Sequence, residues 1–246
     1  MSDAATVEST GAGKADYSFL LRRLHSLSGL LPIGAFLCFH LFENLKALQG
    51  AEVYSEGVQH LNSMLPRPYF YAVEVGVIMV PLLFHGLYGL YVAGTGKANY
   101  ARYVYPSNLA YVIQRLSGFV ALIYLVVHVG ILRGIVTLSG RHLAAYSGPV
   151  GGNLNLITYQ DVAAHFGNPH HQMYDNWLAG NHMFAFYFVG TLASIWHFTN
   201  GLNGFCWTWG LAVGRVAQKR VRLLAWGLFL VMSVACLNVL FQMRFS

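Results

Sequence analysis

Charged side chains are scarce in this sequence of 246 residues. Only 10% of its residues are Asp, Glu, Lys or Arg, whereas a soluble domain contains about 25%. Hydrophobic residues make up 56%, and the mean hydropathy is +0.48. Most of the chain is therefore expected to contact lipid or other buried helices, which places it in the membrane class.

Cysteine is also sparse, and its pattern excludes two kinds of site. Cys38, Cys206 and Cys236 lie within or at the edge of apolar stretches and form no CxxC or CxxCH motif. Neither covalent haem attachment nor a cysteine-ligated iron–sulfur cluster is supported. Iron–sulfur or flavin chemistry would belong to another polypeptide.

Five apolar segments are long enough to cross about 30 Å of hydrocarbon as helices. The polar tail at 1–17 lacks the apolar region of a cleavable signal peptide, and the polar loop at 138–179 is too long for a plain connection. The sequence predicts an all-α membrane protein with one transmembrane domain over 1–246. The predicted helices are 23–48, 70–94, 109–137, 180–205 and 221–243.

The basic residues predict the orientation, because cytoplasmic loops are enriched in Lys and Arg. Ten lie on one side and five on the other, which predicts a cytoplasmic N-terminus and an outer C-terminus. A basic inner face could also dock an acidic partner, and nothing calls for nucleic acid. The inner set is Lys14, Arg22, Arg23, Lys97, Arg102, Arg115, Arg215, Lys219, Arg220 and Arg222; the outer set is Lys46, Arg67, Arg133, Arg141 and Arg244.

Four histidines lie deep inside four different segments, at two depths. At 1.5 Å per residue, His40 and His128 lie roughly 24–26 Å from the inner edge, and His85 and His197 about 23 Å from the outer edge. An intramembrane imidazole is costly unless it is paired, hydrated or bound to a metal. Two facing pairs are what two six-coordinate haem irons require. The first four helices are therefore predicted to form a bundle that binds two haems b.

Two other interpretations of these histidines stay open. One pairs His25 with His197 and His40 with His182. Each of the two helices would then carry two ligands 15 residues apart, with side chains about 60° apart around the helix axis. This pairing leaves His85 and His128 without partners. The other is a haem-free transporter that uses the histidines as proton relays.

A weak internal repeat supports the two-layer arrangement. Leu-Ser-Gly occurs at 27–29 before His40 and again at 116–118 before His128. HGLYG begins at His85 and HFTNG at His197, so that helices 1–2 and 3–4 resemble two copies of one hairpin. The glycines after these two histidines leave room for a flat macrocycle or for a close neighbouring helix; they are Gly86, Gly89 and Gly201.

Cationic and hydroxyl side chains near the inner boundary are candidates to bind haem propionates, because such donors suit carboxylates. They are Arg22, His25, Ser26 and Arg115. Positive-inside anchoring is the alternative explanation for the arginines.

Five motifs together closely resemble the cytochrome b558 subunit, the membrane anchor of the succinate dehydrogenase/fumarate reductase family in its single-subunit, five-helix, two-haem form. The resemblance covers about 17–243, and it implies that His85 and His197 ligate an inner haem and His40 and His128 an outer one. The motifs are RRLHS at 22–26, PLLFHGLYG at 81–89, QRLSG at 114–118, HFTNGL at 197–202 and TWG at 208–210.

The resemblance also implies partners, a location and a substrate. The partners would be a flavoprotein with FAD and an iron–sulfur subunit, docked on the cytoplasmic face of a bacterial-type inner membrane. The substrate would be a membrane quinone, often menaquinone, bound near the outer haem. Candidate residues there are Glu56, His60 and Glu74, with Glu43 and Asn44 beside them.

Two points qualify what the resemblance implies. Some fumarate reductases carry a proton-moving glutamate two residues before the fourth-helix ligand, and this chain has Ile195; we therefore expect turnover that is not charge-compensated by that route. The alternative with the same cofactors is a cytochrome b subunit of a formate dehydrogenase or hydrogenase.

Overall fold

A computed structural model of the protein describes residues 17–95, 106–132 and 177–245, and within these residues the chain forms six helices. The predictions about the tail before residue 17 and about the loop before residue 177 lie outside the described residues. So do those about Lys14, Lys97, Arg102, Arg133 and Arg141.

The helices are labelled α1 to α6 in chain order. Helix α1 comprises Tyr17–Ser28, a π-helical segment Gly29–Gly34, Ala35–Asn44 and a 3-10 turn Leu45–Gln49. Helix α3 comprises Arg67–Val73, a π-helical segment Glu74–Met79 and Val80–Thr95. The others are α2 (Ala51–Ser63), α4 (Pro106–Leu132), α5 (Trp177–Thr208) and α6 (Arg215–Phe245).

Both π-helical segments occur at a proline. Pro32 lies inside the first, and Pro81 follows the second by two residues. Proline has no N–H and its ring clashes with the carbonyl four residues earlier. The wider turn accommodates the ring, so that α1 and α3 continue without a break.

Within the described residues, α1, α3, α4 and α6 are long and apolar enough to cross a membrane. Helix α5 has 32 residues, but its described part is not among the segments that reach this hydropathy. Several of its polar side chains are buried against neighbouring helices, among them Thr191, Thr199 and Asn203. A helix surrounded by protein does not need a lipid-compatible surface on every side. The fifth span, at 180–205, stays a prediction.

Helix α5 packs against both α4 and α6, and α1 packs against α3. One buried cluster contains Ile195 of α5 with Met232 and Cys236 of α6. A second contains Tyr187 of α5, Tyr124 of α4 and residues from the end of α1. These contacts join the two helical hairpins and α6 into one bundle.

The predicted helices 23–48 and 70–94 leave residues 49–69 as a short connecting loop, but residues 51–63 form α2. Tyr54 of α2 is buried in the cluster that contains Ala47, at the end of α1. Lys46 forms an ion pair with Glu43 at 2.7 Å, and its side chain passes within 2.6 Å of where a Cβ on Gly57 would lie. The end of the bundle covered by this helix is called the α2 end below.

Candidate functional site

The structure brings the four deep histidines together in the two pairs that their depths predict. The ring centroids of His85 and His197 are 6.0 Å apart with an interplanar angle of 84°. Those of His40 and His128 are 5.9 Å apart at 75°. An imidazole nitrogen binds a metal at about 2 Å, so two rings on opposite sides of one ion have centroids about 6 Å apart. Both pairs have the spacing that one iron between them requires.

Equivalent hydrogen bonds fix the two rings of the His85 pair. His85 Nδ1 lies 2.9 Å from the backbone oxygen of His25, and His197 Nδ1 lies 3.0 Å from that of Gln114. A carbonyl only accepts, so Nδ1 carries the proton in both rings. The Nε2 lone pair is then available to a metal, as is usual for histidine ligands.

Two glycines allow these rings to approach the neighbouring helices. A Cβ on Gly29 would overlap the ring of His85, and one on Gly118 would lie 2.8 Å from Cε1 of His197. These glycines end the two Leu-Ser-Gly repeats. The glycines considered from sequence serve helix contacts instead: Gly86 faces Leu122, Gly89 faces His25 and Gly201 faces Gln114.

Aromatic residues surround the pair at the α2 end. His128 Nδ1 lies 3.2 Å from the hydroxyl of Tyr187, and the ring of Tyr124 stacks on His128 at 5.4 Å. Phe36 stacks on His40 at 5.5 Å. Asn44 donates to the His40 carbonyl at 2.7 Å, and its amide nitrogen lies 3.4 Å from His40 Nε2.

The position of His25 argues against the alternative pairing scheme. Its ring stacks face to face on His85, with centroids 4.1 Å apart and planes 12° apart. The alternative scheme places His25 opposite His197, but the ring that faces His197, with centroids 6.0 Å apart, is that of His85. His182, the proposed outer partner of His40 in that scheme, is exposed.

The remaining propionate candidates lie at the end of the bundle opposite the α2 end. Ser26 accepts a hydrogen bond from Trp209 Nε1 at 3.0 Å. Arg115 lies over the ring of Tyr111 at 4.3 Å, and Arg22 is exposed. His25 Nδ1 is buried and has no hydrogen-bond partner among the described residues.

The quinone candidates lie toward the α2 end, on helices α2 and α3. Glu56 and His60 are both exposed on α2 and are four residues apart, so they share one face. Glu74 begins the π-helical segment of α3 and is half-buried. Burial raises the pKa of the neighbouring Tyr54 to about 12, which keeps its phenol neutral.

Comparison with known proteins identifies the family. No family model matches the sequence. The chain is 34% identical over 223 residues to the succinate dehydrogenase cytochrome b558 subunit of Bacillus subtilis (strain 168), a match that spans 91% of this chain and 96% of that protein. The chain belongs to the succinate dehydrogenase cytochrome b558 family. The family resemblance read from the sequence motifs is thereby confirmed.

Membership of the cytochrome b558 family makes the chain a cytochrome b-type membrane subunit of a succinate dehydrogenase complex. Three features around the histidines of this family member were missed from sequence. They are the contact of Gly29 and Gly118 with the rings, the hydroxyl of Tyr187 beside His128, and the side-chain amide of Gln114 beside His197. The repeated Leu-Ser-Gly motif was the available signal for the glycines.

Proposed function

We propose that this chain is the membrane anchor and electron-transfer subunit of a succinate:quinone oxidoreductase or quinol:fumarate reductase. It carries two haems b, an inner one held by His85 and His197 and an outer one held by His40 and His128. It passes electrons between a cytoplasmic iron–sulfur subunit and a membrane quinone.

The observation that carries this proposal is the geometry of the two histidine pairs. Among the described residues, no third His, Cys, Asp or Glu joins either pair as a candidate metal ligand. Each pair offers two nitrogen donors, the number that a six-coordinate haem iron takes from the protein. Bound haem supplies a one-electron redox centre at each pair. The chain holds the ligand rings in place and, around them, excludes water with apolar side chains.

The end near the His85 pair is the proposed cytoplasmic face. The start of α6 presents four exposed basic residues there, namely Arg215, Lys219, Arg220 and Arg222. Such a face can dock the iron–sulfur subunit, which in turn contacts the flavoprotein that holds FAD. A haem propionate beside Arg22, Ser26 or Arg115 would gain charge-assisted hydrogen bonds. It would also supply an acceptor for the buried Nδ1 of His25.

The α2 end is the proposed site of quinone chemistry. A quinone takes up two protons when it is reduced, so the reaction needs groups that exchange protons with water. Glu56 and His60 are exposed and can do this directly, and Glu74 lies on the adjacent spanning helix. Glu43 is held by Lys46, and Asn44 is bonded to the carbonyl of His40.

The test is a reduced-minus-oxidised absorbance spectrum of the purified complex, with haem and protein both quantified. We expect two b-type haems per chain. We expect one in His85→Ala and one in His128→Ala, with a different haem lost in each. His182→Ala is the matched control, because this histidine is exposed on the helix that carries His197.

Other outcomes have distinct meanings. Full haem retention in both variants discards the pairing, and loss of a haem in His182→Ala restores the alternative pairing. A colourless protein favours a haem-free transporter. Co-purification with a molybdenum or nickel protein, instead of a flavoprotein, favours a formate dehydrogenase or hydrogenase subunit.

A further inference from the structure

Gln114 and His197 are joined by two hydrogen bonds that run in opposite directions. The ring Nδ1 of His197 donates to the backbone oxygen of Gln114 at 3.0 Å. The side-chain Nε2 of Gln114 donates to the backbone oxygen of His197 at 2.9 Å. One residue of α4 therefore holds both the ring and the backbone of this histidine on α5.

The amide of Gln114 is itself held in one orientation. Asn200, one turn after His197, donates from Nδ2 to Gln114 Oε1 at 2.7 Å. Because Oε1 must accept and Nε2 must donate, the two ends of the amide cannot be exchanged. The nitrogen also lies 3.2 Å from Nδ1 of the imidazole, at the edge of the ring, where it hinders rotation of that ring.

The other hairpin lacks this side-chain clamp. By the Leu-Ser-Gly alignment, the position equivalent to Gln114 is His25. Its backbone oxygen accepts from His85 Nδ1 at 2.9 Å, but its side chain stacks on His85. The backbone acceptor is thus shared by both hairpins, whereas in the described part of the chain the side-chain amide of Gln114 holds His197 and no equivalent amide holds His85. Hairpin packing alone does not require it.

We propose that Gln114 is a positioning residue for the inner haem: it fixes the rotation of the His197 ring relative to the His85 ring. This inference rests on the proposed function, in which these two rings are the ligands of one iron. The interplanar angle of 84° between the two rings is then a property that Gln114 maintains. Asn200 contributes by orienting the amide of Gln114.

The test uses low-temperature electron paramagnetic resonance of the oxidised complex. The highest g-value of a low-spin haem with two imidazole ligands depends on the angle between the ligand planes. We expect Gln114→Leu to retain two haems per chain and to shift or broaden the inner-haem signal, with the outer-haem signal unchanged. Asn200→Ala is expected to shift the same signal in the same direction, by a smaller amount. Gln59→Leu, at an exposed position on α2, is the control and should change neither signal.

An unchanged inner-haem signal in Gln114→Leu, at full haem content, would overturn the inference. If Gln114→Leu does not retain the inner haem, Asn200→Ala decides in its place: a shift supports the clamp, and an unchanged signal rejects it. Failure of the proposed function is distinguishable, because the His85→Ala complex would then keep both haems.

Discussion

The imidazoles of His85 and His197 meet at nearly a right angle with their centroids 6.0 Å apart. Each ring is bonded through Nδ1 to the helix that precedes it in its own hairpin. The two hydrogen bonds leave the Nε2 atoms as the remaining metal-binding nitrogens. Substitutions next to these two rings should therefore affect the proposed inner haem and leave the outer haem unchanged.

Replacing Gly29 by alanine should lower the occupancy of the inner haem. A Cβ at this position overlaps the ring of His85, so the ring must move away from His197. We expect the haem content to fall from two per chain toward one, measured by pyridine haemochrome assay against protein. Gly227→Ala is the control, because within the described parts of the chain, its own helical turn aside, no atom lies within 4 Å of its added Cβ. Equal haem contents in the two variants would contradict the close packing of His85 on α1.

Replacing Tyr187 by phenylalanine should raise the midpoint potential of the outer haem. The phenol oxygen lies 3.2 Å from His128 Nδ1. If His128 binds iron through Nε2 as proposed, Nδ1 carries the proton and the phenol oxygen accepts a hydrogen bond from it, and such an acceptor makes the imidazole a stronger electron donor. If the hydrogen bond is about 1 kcal/mol stronger in the oxidised state, its loss corresponds to a rise of roughly 40 mV for one electron. Redox titration should show this rise with no change at the inner haem. A matched Tyr91→Phe variant, at an exposed tyrosine of α3, should leave both potentials unchanged.

Turnover in sealed vesicles should depend on the membrane potential. Ile195 is fully buried among Met232 and Cys236, so its position offers no ionisable group to carry a compensating proton. Moving one charge across the membrane is worth about 2.3 kcal/mol per 100 mV. We expect an uncoupler to change the rate of quinone reduction by succinate. Identical rates with and without the uncoupler, at a verified potential, would show that charge is compensated by another route.

Tyr54 should make the protein less stable at alkaline pH. Burial raises the pKa of Tyr54 from 10.0 to about 12, so the unfolded chain loses this proton at a lower pH than the folded chain. The burial of the neutral phenol contributes fully to the free energy of unfolding below about pH 10, and this contribution is lost as the pH rises toward 12. Two pKa units correspond to about 3 kcal/mol. The apparent Tm of Tyr54→Phe should fall less over this range than that of the unmodified protein. Equal falls would indicate that Tyr54 gains solvent access before unfolding.

The pairing of the histidines could be predicted from the sequence because depth in a helix depends only on residue number and rise. His40 and His128, or His85 and His197, reach the same layer whatever the rotation of each helix. Hydrogen bonds between side chains depend on that rotation and on how closely the axes approach. The contacts of Gln114 with His197, 83 residues apart, could therefore not be read from the chain.

One departure from the predicted fold has a local cause. The segment at 51–63 is too short and too polar to cross a membrane. It nevertheless forms α2, because Tyr54 is buried against the end of α1. Helix α5 lies where the fifth span is predicted, and its polar Thr191, Thr199 and Asn203 are buried.

The hydrogen bonds of His85 and His197 join different helices from the proposed ligand pairs. One bond ties α3 to α1 and the other ties α5 to α4, so each stays within a single hairpin. The proposed ligand pairs instead run between hairpins, from α3 to α5 and from α1 to α4. With haem bound as proposed, hydrogen bonds within each hairpin would alternate with ligand pairs between hairpins around the four helices. The proposed ligand pairs would therefore add links between the hairpins to those that the buried side-chain clusters already make.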